Sequence, residues 1–125
     1  MYPKICSFGE CMIEIIHQDT NKYNQSYAGD TFNFAVYLSR QKMKIDYLTA
    51  VGTSSLSKSY LKFMKKEKIS IKLVMLNKNK ELGIYLNKNK ASGEKDFYYW
   101  RDESAAKFFF NNFNLNDFVH KLKNY

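Results

Sequence analysis

Residues 45–76, IDYLTAVGTSSLSKSYLKFMKKEKISIKLVML, decide the fold class. Ile45–Val51 is a short apolar run that ends at Gly52, which predicts a buried strand. A helix with Ser57 as its N-cap follows and extends to about Lys68. Its inward residues are Tyr60, Leu61 and Met64. Ile69–Leu76 is a second strand, and this strand–helix–strand order predicts a βαβ unit in a parallel sheet.

Another helix is predicted just before this unit, over residues 30–42, DTFNFAVYLSRQK. Its apolar residues occupy two faces, one with Phe32, Ala35 and Val36 and the other with Phe34, Tyr37 and Leu38. A helix that is apolar on nearly all sides is expected to be buried on nearly all sides. Asp30 or Thr31 is its predicted cap, and Gly29 allows a close backbone approach just before it.

Short strands are predicted on either side of this central region. Residues 4–16 contain two strands broken at Gly9-Glu10, and residues 17–28 indicate a loop or a short edge strand. Residues 82–101 alternate on both sides of a Ser92-Gly93 loop, which predicts a hairpin appended to the main sheet. The last predicted element is a helix with Asn114 as its cap and apolar positions at Leu115, Phe118, Val119 and Leu122.

The composition excludes several classes of protein. The 125 residues, about 45% of them apolar, form one globular unit at most. No apolar run approaches the roughly 18 residues of a membrane span. The sequence does not start with a basic segment followed by an apolar stretch, so we expect no secretory signal peptide. Two cysteines and two histidines cannot complete a zinc site without carboxylates. Cys6 and Cys11 are therefore expected to be reduced thiols of a cytoplasmic chain.

The net charge of +8 comes mainly from lysine, since 18 of the 20 cations are Lys and the others are Arg40 and Arg101. A lysine cluster falls on the predicted helix that starts at Ser57. A solvated helix face accounts for this cluster better than a phosphate-binding patch, because the segment lacks arginine and interleaved aromatic residues. We therefore expect no nucleic-acid partner and no membrane partner.

The start of the first helix is one candidate binding site. Its residues are Gly29, Asp30, Thr31, Phe32 and Asn33. Backbone N–H groups at a helix N-terminus favour anions and polar ligand oxygens, and Asn33 can both donate and accept. The alternative is plain capping by Asp30 and Thr31.

The hairpin carries a second candidate site, formed by Tyr85, Tyr99 and Arg101 with Trp100 adjacent. The planar guanidinium of Arg101 matches a carboxylate in a way that the many lysines do not. The alternative is an aromatic edge strand that covers a core. A third group, Glu10, Glu14 and Asp30, would serve acid–base chemistry only if the fold brought its members together.

Five segments together carry a family resemblance: FGECMIE at 8–14, AGDTFN at 28–33, YLTAVGT at 47–53, GIY at 83–85 and FYYWRDESAAK at 97–107. In order and spacing they resemble the ribokinase-like (PfkB) sugar kinases, and more narrowly the branch that phosphorylates 2-keto-3-deoxygluconate. The GDTxN and YYWR elements together are fairly specific for that branch. The resemblance covers most of residues 4–110.

The resemblance implies the N-terminal portion of a ribokinase-like α/β fold, a parallel sheet with flanking helices plus a β-hairpin lid over about 11–28 and 82–101. It implies that the sugar acid binds Gly29, Asp30, Thr31, Phe32 and Asn33 at the helix start and Tyr85, Tyr99 and Trp100 of the lid. Arg101 would face the carboxylate. The family moves the γ-phosphoryl group of ATP, with Mg²⁺, to a substrate hydroxyl.

The sequence also departs from the family pattern. Ala28 stands where the family has a second glycine, and family members are more than twice as long. Their catalytic aspartate, anion hole and nucleotide site lie in a C-terminal half that we expect to be absent, so no catalytic residue is predicted and ATP and Mg²⁺ are expected to bind poorly. Asp30 is not the family's catalytic base, because its segment precedes YYWR and because Tyr27 is too large for an anion hole.

Three hypotheses follow for the function. In the first, residues 1–125 are one partial domain, the substrate-side half of a sugar-acid kinase, inactive alone, with a complementing C-terminal chain or self-association at its exposed sheet edge. In the second, the chain is a non-catalytic binding or interaction module. In the third, it is a small basic nucleic-acid-binding protein, although no recognisable module of that kind occurs.

Overall fold

Two β-sheets with helices packed against them form the structure, a computed structural model that describes residues 4–125. Residues 1–3 of the predicted single unit lie outside the described residues. The strands are β1 (Ile5–Phe8), β2 (Met12–Asp19), β3 (Lys22–Ala28), β4 (Ile45–Val51), β5 (Val74–Leu76), β6 (Gly83–Asn89) and β7 (Lys95–Trp100). The helices are α1 (Asp30–Arg40), α2 (Ser55–Lys66), a 3₁₀ helix (Ala105–Asn112) and α3 (Leu115–Leu122).

The first sheet is parallel and has the strand order β1-β4-β5. Its central strand β4 is buried along its whole length, because both of its faces are covered. Ile45, Tyr47 and Val51 belong to a core shared with α1 and α2, whereas Leu48 and Ala50 belong to a second core shared with the 3₁₀ helix. The predicted βαβ unit and the α/β class are confirmed.

The strand predicted over residues 69–76 is shorter in the structure, where only Val74–Leu76 is a strand. Ser70 forms an isolated bridge with Asp46 and does not extend the ladder. Ile69 is buried in the core without being part of a strand. The apolar run therefore indicated burial correctly but overstated the length of strand pairing.

The second sheet is mixed and has the order β3-β2-β6-β7. β2 pairs antiparallel with β3 and parallel with β6, and β6 pairs antiparallel with β7. Of the two alternatives for residues 17–28, the edge strand is correct, since β3 occupies Lys22–Ala28. The hairpin predicted over 82–101 is confirmed, but it joins this second sheet through β2 and not the parallel sheet.

Helix α1 buries one face only. Phe32, Ala35 and Val36 lie in the core, but Phe34 is 52% exposed and Tyr37 is 68% exposed. The expectation of burial on nearly all sides is wrong, because α1 packs against β1 and β4 and leaves its opposite face uncovered among the residues described.

The caps of the later helices agree only partly with the sequence. α2 begins earlier than predicted and is capped by Ser54, while Ser57 is fully buried and donates its hydroxyl proton to Glu81 at 2.8 Å. The predicted cap of α3 is confirmed, since the Asn114 side chain accepts the N–H of Asp117 at 3.1 Å.

The C-terminal segment covers the second face of the parallel sheet. Phe109 is buried against Leu48 and Ala50, and Phe118 and Leu122 of α3 pack on the same cluster. No α3 side chain is fully buried, so this helix covers the sheet as an outer layer. Within residues 4–125, no helix has both the length and the apolar character needed to cross a membrane.

Candidate functional site

A concavity of about 310 Å³ lies where the turn between β1 and β2, the start of α1 and the end of β7 meet. The register of the second sheet brings these segments together, because Met12 pairs with Ala28 on one side and with Gly83 on the other. The residues that line the concavity are Glu10, Met12, Gly29, Asp30, Thr31, Tyr99 and Arg101.

Two glycines make the close approach of these segments possible. Gly29 has a φ of 156°, and a Cβ atom there would lie 2.4 Å from the carbonyl oxygen of Glu10. A Cβ atom at Gly83 would lie 3.0 Å from Cβ of Arg101 and 3.1 Å from Cγ of Met12. Any side chain at Gly29 would push the start of α1 away from the Glu10 turn.

The start of α1 carries no side-chain cap. Gly29 is the N-cap residue, so the prediction that Asp30 or Thr31 caps the helix is wrong. The Thr31 hydroxyl instead shares a hydrogen bond of 2.9 Å with the hydroxyl of Tyr47, and the Thr31 carbonyl accepts the Ser7 hydroxyl at 2.8 Å. The first-turn N–H groups, where the helix dipole is positive, are left without a side-chain acceptor from the cap.

Arg101 forms a half-buried ion pair with Glu10 in the lining of the concavity. Its Nε atom lies 3.0 Å from Oε1 of Glu10, in a contact too bent to count as a hydrogen bond. The Ser104 hydroxyl donates to the other Glu10 oxygen, Oε2, at 2.6 Å. The inner nitrogen of the guanidinium is therefore the atom that lies nearest to Glu10.

Tyr85 and Tyr99 sit opposite each other on β6 and β7 and stack, with ring centroids 5.7 Å apart and planes at 26°. The Tyr85 hydroxyl donates to Oε1 of Glu14 at 2.6 Å. Burial raises the pKa of Tyr85 well above its ordinary value, and the hydrogen bond and negative charge of Glu14 raise it further. Tyr85 is therefore a neutral phenol at physiological pH.

The structure gathers five of the nine predicted binding residues around the concavity: Gly29, Asp30, Thr31, Tyr99 and Arg101. Tyr85 adjoins them through its stack on Tyr99. The other three side chains lie elsewhere. Phe32 is fully buried in the core, Asn33 is exposed on α1, and Trp100 is 60% exposed and pairs with Ile84 on the opposite face of β7.

The three acidic residues do not form one cluster. Glu10 and Asp30 line the concavity, whereas Glu14 lies further along β2 and accepts the hydroxyls of Tyr85 and Ser26. Glu10 and Glu14 are therefore bound to neighbouring side chains. Their role as holders of Arg101 and Tyr85 was not predicted, although the alternation of β2 placed Glu14 on a sheet face.

Sequence reasoning also missed Ser104 and Met12. Ser104 is buried, donates to Glu10 and caps the 3₁₀ helix. Its signal is its position three residues after Arg101 in a segment that resembles a family motif. Met12 has the clearer signal, since it lies two residues before Glu14 on the same face of a strand.

Known proteins similar to this chain are carbohydrate kinases. The family model described as pfkB family carbohydrate kinase matches residues 3–124. The 2-dehydro-3-deoxygluconokinase of Haemophilus influenzae is 40% identical over 109 residues, which cover 84% of this chain and 35% of the relative. The protein of that name from Dickeya dadantii is 39% identical over 108 residues, which cover 83% of this chain and 34% of that relative. The chain thus spans about a third of the length of these relatives.

Solved structures show the same fold. The 2-dehydro-3-deoxygluconokinase of Thermotoga maritima superposes on this chain with a TM-score of 0.82 and 20% sequence identity. The alignment covers 98% of this chain and 39% of the Thermotoga maritima chain. A fructokinase of Xylella fastidiosa has a TM-score of 0.81 at 19% sequence identity, and the alignment covers 93% of this chain and 38% of the fructokinase. The expected ribokinase-like fold is confirmed. Since the family model also matches nearly the whole chain, the chain belongs to the pfkB family of carbohydrate kinases.

Proposed function

We propose that this chain is the substrate-binding part of a sugar-acid kinase and that it binds 2-keto-3-deoxygluconate in the concavity beside Arg101. The observation that carries the proposal is the placement of Arg101, one of two arginines in the chain, in the lining of that concavity, where its Nε atom lies 3.0 Å from Glu10. A guanidinium held in this way can offer its terminal N–H groups to a carboxylate. Relatives named 2-dehydro-3-deoxygluconokinase support this substrate.

The start of α1 supports the same assignment. Gly29, Asp30 and Thr31 line the concavity, and the helix has no side-chain cap. Its N–H groups favour ligand oxygens, since they carry the positive end of the helix dipole. The remaining predicted contact residues, Phe32 and Asn33, would take part through the backbone or through a movement of the Asn33 side chain.

We assign the second sheet as the cover of the site. Its strands correspond to the lid predicted over about 11–28 and 82–101, and Met12, Tyr99 and Arg101 at their ends line the concavity. In this assignment Tyr85 and Tyr99 contact the sugar acid, while Trp100 would support the lid from its opposite face. The described residues are one unit on the substrate side of the enzyme.

We assign no site for ATP or Mg²⁺, which the family reaction uses, to the residues described. Within residues 4–125 there is no group of three or more His, Cys, Asp or Glu side chains placed to hold a metal ion. The sequence has neither of the glycine-rich phosphate-binding motifs GxxxxGK[ST] and GxGxxG. We therefore propose sugar-acid binding for this chain and assign no step of phosphoryl transfer to its residues.

Calorimetric titration of the purified chain with 2-keto-3-deoxygluconate tests the proposal. Arg101→Lys keeps the charge but removes the planar fork, and it should weaken binding about tenfold or more. Arg40→Lys is the matched control, because Arg40 pairs with Glu67 on the surface, away from the concavity. Equal binding by both variants would contradict the site, and turnover of ATP with the sugar acid would contradict a purely binding role.

We also propose that the free edge of β1 pairs with a strand of a complementing kinase chain. β1 has β4 on one side and no strand on the other among the residues described, and an unpaired edge invites strand addition. Light scattering with and without a separately produced C-terminal kinase segment tests this pairing. A 1:1 complex is expected, whereas self-association alone or an unchanged monomer would contradict it.

A further inference from the structure

A hydrogen-bonded chain crosses three strands of the second sheet. Glu14 on β2 lies beside Ser26 on β3 and beside Tyr85 on β6 in the strand register. The Ser26 hydroxyl donates to Oε2 of Glu14 at 2.7 Å, and the Tyr85 hydroxyl donates to Oε1 at 2.6 Å. Both carboxylate oxygens therefore have a donor, and the side chain of Glu14 is fixed from both sides.

This arrangement decides what Tyr85 can offer to a ligand. A phenol has one proton, and an ionised carboxylate can only accept. Because the Tyr85 proton lies on the hydrogen bond to Glu14, the oxygen of Tyr85 has only its lone pairs left. Tyr85 is thereby an acceptor that recognises a donor such as a hydroxyl and not a carboxylate.

The other end of the site has the opposite character. Arg101 has donors and no acceptor, and Glu10 holds it through Nε at 3.0 Å. Two carboxylates four residues apart in the sequence, Glu10 and Glu14, thus each hold one predicted ligand-binding side chain. A ligand with a carboxylate at one end and hydroxyls along its chain matches this polarity.

We propose that Glu14 is a positioning residue that makes Tyr85 an obligate hydrogen-bond acceptor, so that the site selects a 2-oxo acid that carries a hydroxyl over one that carries none. This proposal rests on the proposed function, since it specifies how the same site distinguishes one ligand from another. Glu14 acts through Tyr85 and does not itself need to touch the ligand.

The first test needs no ligand. The chain is labelled with 13Cζ-tyrosine, Tyr85→Phe identifies the Tyr85 signal, and the signal is followed by NMR up to about pH 11, above the ordinary tyrosine pKa of about 10. Tyr85 should stay protonated throughout in the wild-type chain. In Glu14→Gln its pKa should fall measurably towards the ordinary value, because the negative charge is gone while burial and the stacked Tyr99 remain. An unchanged Tyr85 titration would overturn the role of Glu14.

The second test measures selection between two ligands. 2-Keto-3-deoxygluconate and 2-oxohexanoate share a six-carbon 2-oxo acid chain, but only the first has hydroxyls. Glu14→Gln and Tyr85→Phe should each weaken binding of 2-keto-3-deoxygluconate about tenfold and leave binding of 2-oxohexanoate unchanged. Glu94→Gln is the matched control, since Glu94 lies exposed in the β6–β7 loop and should change neither affinity.

The outcomes separate the two proposals. Equal losses for both ligands in Glu14→Gln and Tyr85→Phe would mean that these side chains only support the fold, and would overturn the selection. Wild-type chain that binds neither ligand would remove the proposed function and the selection together, while the tyrosine titration would still decide whether Glu14 holds the Tyr85 proton. If Glu14→Gln does not fold by circular dichroism, Tyr85→Phe alone decides the selection, because it leaves Glu14 in place.

Discussion

The two sheets of this protein treat their polar groups in opposite ways. The central strand β4 of the parallel sheet is buried from end to end, and its faces meet two apolar cores. The second sheet buries one face, through Ile13 and its neighbours, and keeps Glu14, Ser26 and Tyr85 joined by hydrogen bonds on the other. The parallel sheet therefore stabilises the fold, whereas the second sheet presents polar side chains on one face.

This division has a physical cause. A strand covered on both faces has no water available to its side chains, so polar groups there are costly unless they find a partner. Asp46 of β4 shows the requirement, because it lies 2.8 Å from Nζ of Lys72 and accepts the hydroxyl of Tyr125. The second sheet can keep free donors and acceptors on its open face. We therefore expect substitutions in the two sheets to affect different measurements.

Phe32→Ala should have the largest effect on stability. The Phe32 ring is fully buried against Tyr47 and Tyr60, and its loss should lower the free energy of unfolding by about 3–5 kcal/mol. Urea denaturation followed by circular dichroism measures this change. Phe34→Ala on the exposed face of α1 is the control, with an expected change within about 0.5 kcal/mol. Similar losses for both would contradict the one-sided burial of α1.

Gly29→Ala should have the second-largest effect on stability, because Gly29 lies at the junction between the two sheets. The added Cβ atom would meet the Glu10 carbonyl oxygen at 2.4 Å, so we expect a loss of about 1–3 kcal/mol and no measurable binding of 2-keto-3-deoxygluconate. Gly93→Ala is the control, since Gly93 also has a positive φ but nothing within 4 Å. It should cost about 1 kcal/mol and leave binding intact. Intact binding in Gly29→Ala would show that the junction is not part of the site.

Tyr47→Phe should have a smaller effect that links the two regions. It removes the hydrogen bond of 2.9 Å between β4 and Thr31, which lines the concavity. The expected loss is about 1 kcal/mol in the free energy of unfolding, with a modest decrease in ligand affinity. Tyr98→Phe, on an exposed ring of β7, provides the comparison for thermal and calorimetric measurements. A change confined to stability would mean that the core does not position Thr31.

The pH dependence of stability should give the smallest effect. Burial alone would raise the pKa of Glu81, but hydrogen bonds from Ser57 and Ser54 outweigh it and hold the pKa below its ordinary value of 4.5. A lowered pKa stabilises the folded chain above pH 4.5, and this contribution is lost as the pH falls through the folded-state value. Acid unfolding of Glu81→Gln should therefore be less steep below about pH 4.5. An identical acid profile would contradict the lowered pKa.

The parallel sheet was predictable because its signal is local. Five of the seven residues of Ile45–Val51 are apolar, and such a run can be buried on both faces only in a covered sheet. The hairpin strands were predictable from their alternation. The exposed face of α1 was not, since Phe34 and Tyr37 are as apolar as the buried residues of the helix and only the position of its neighbours separates them.

The site was predictable as a set of residue types but not as an arrangement. Arg101 stands out in a lysine-rich chain, and the alternation of the hairpin placed Tyr85 and Tyr99 with it on one face. Their partners Glu10 and Glu14 reach them through pairings between residues that are far apart in the chain, such as Glu14 with Tyr85. No short-range pattern carries that information.

The pairing of β2 with β6 also has a consequence for how the chain is made. The ribosome completes β3 at Ala28 long before it reaches β6 at Gly83, a delay of roughly 3 to 11 seconds at typical synthesis rates. During that time the β2–β3 hairpin has an open edge and an apolar face with nothing to cover it. Long-range pairing of this kind slows folding, so the nascent hairpin keeps this edge and this face exposed until β6 is made.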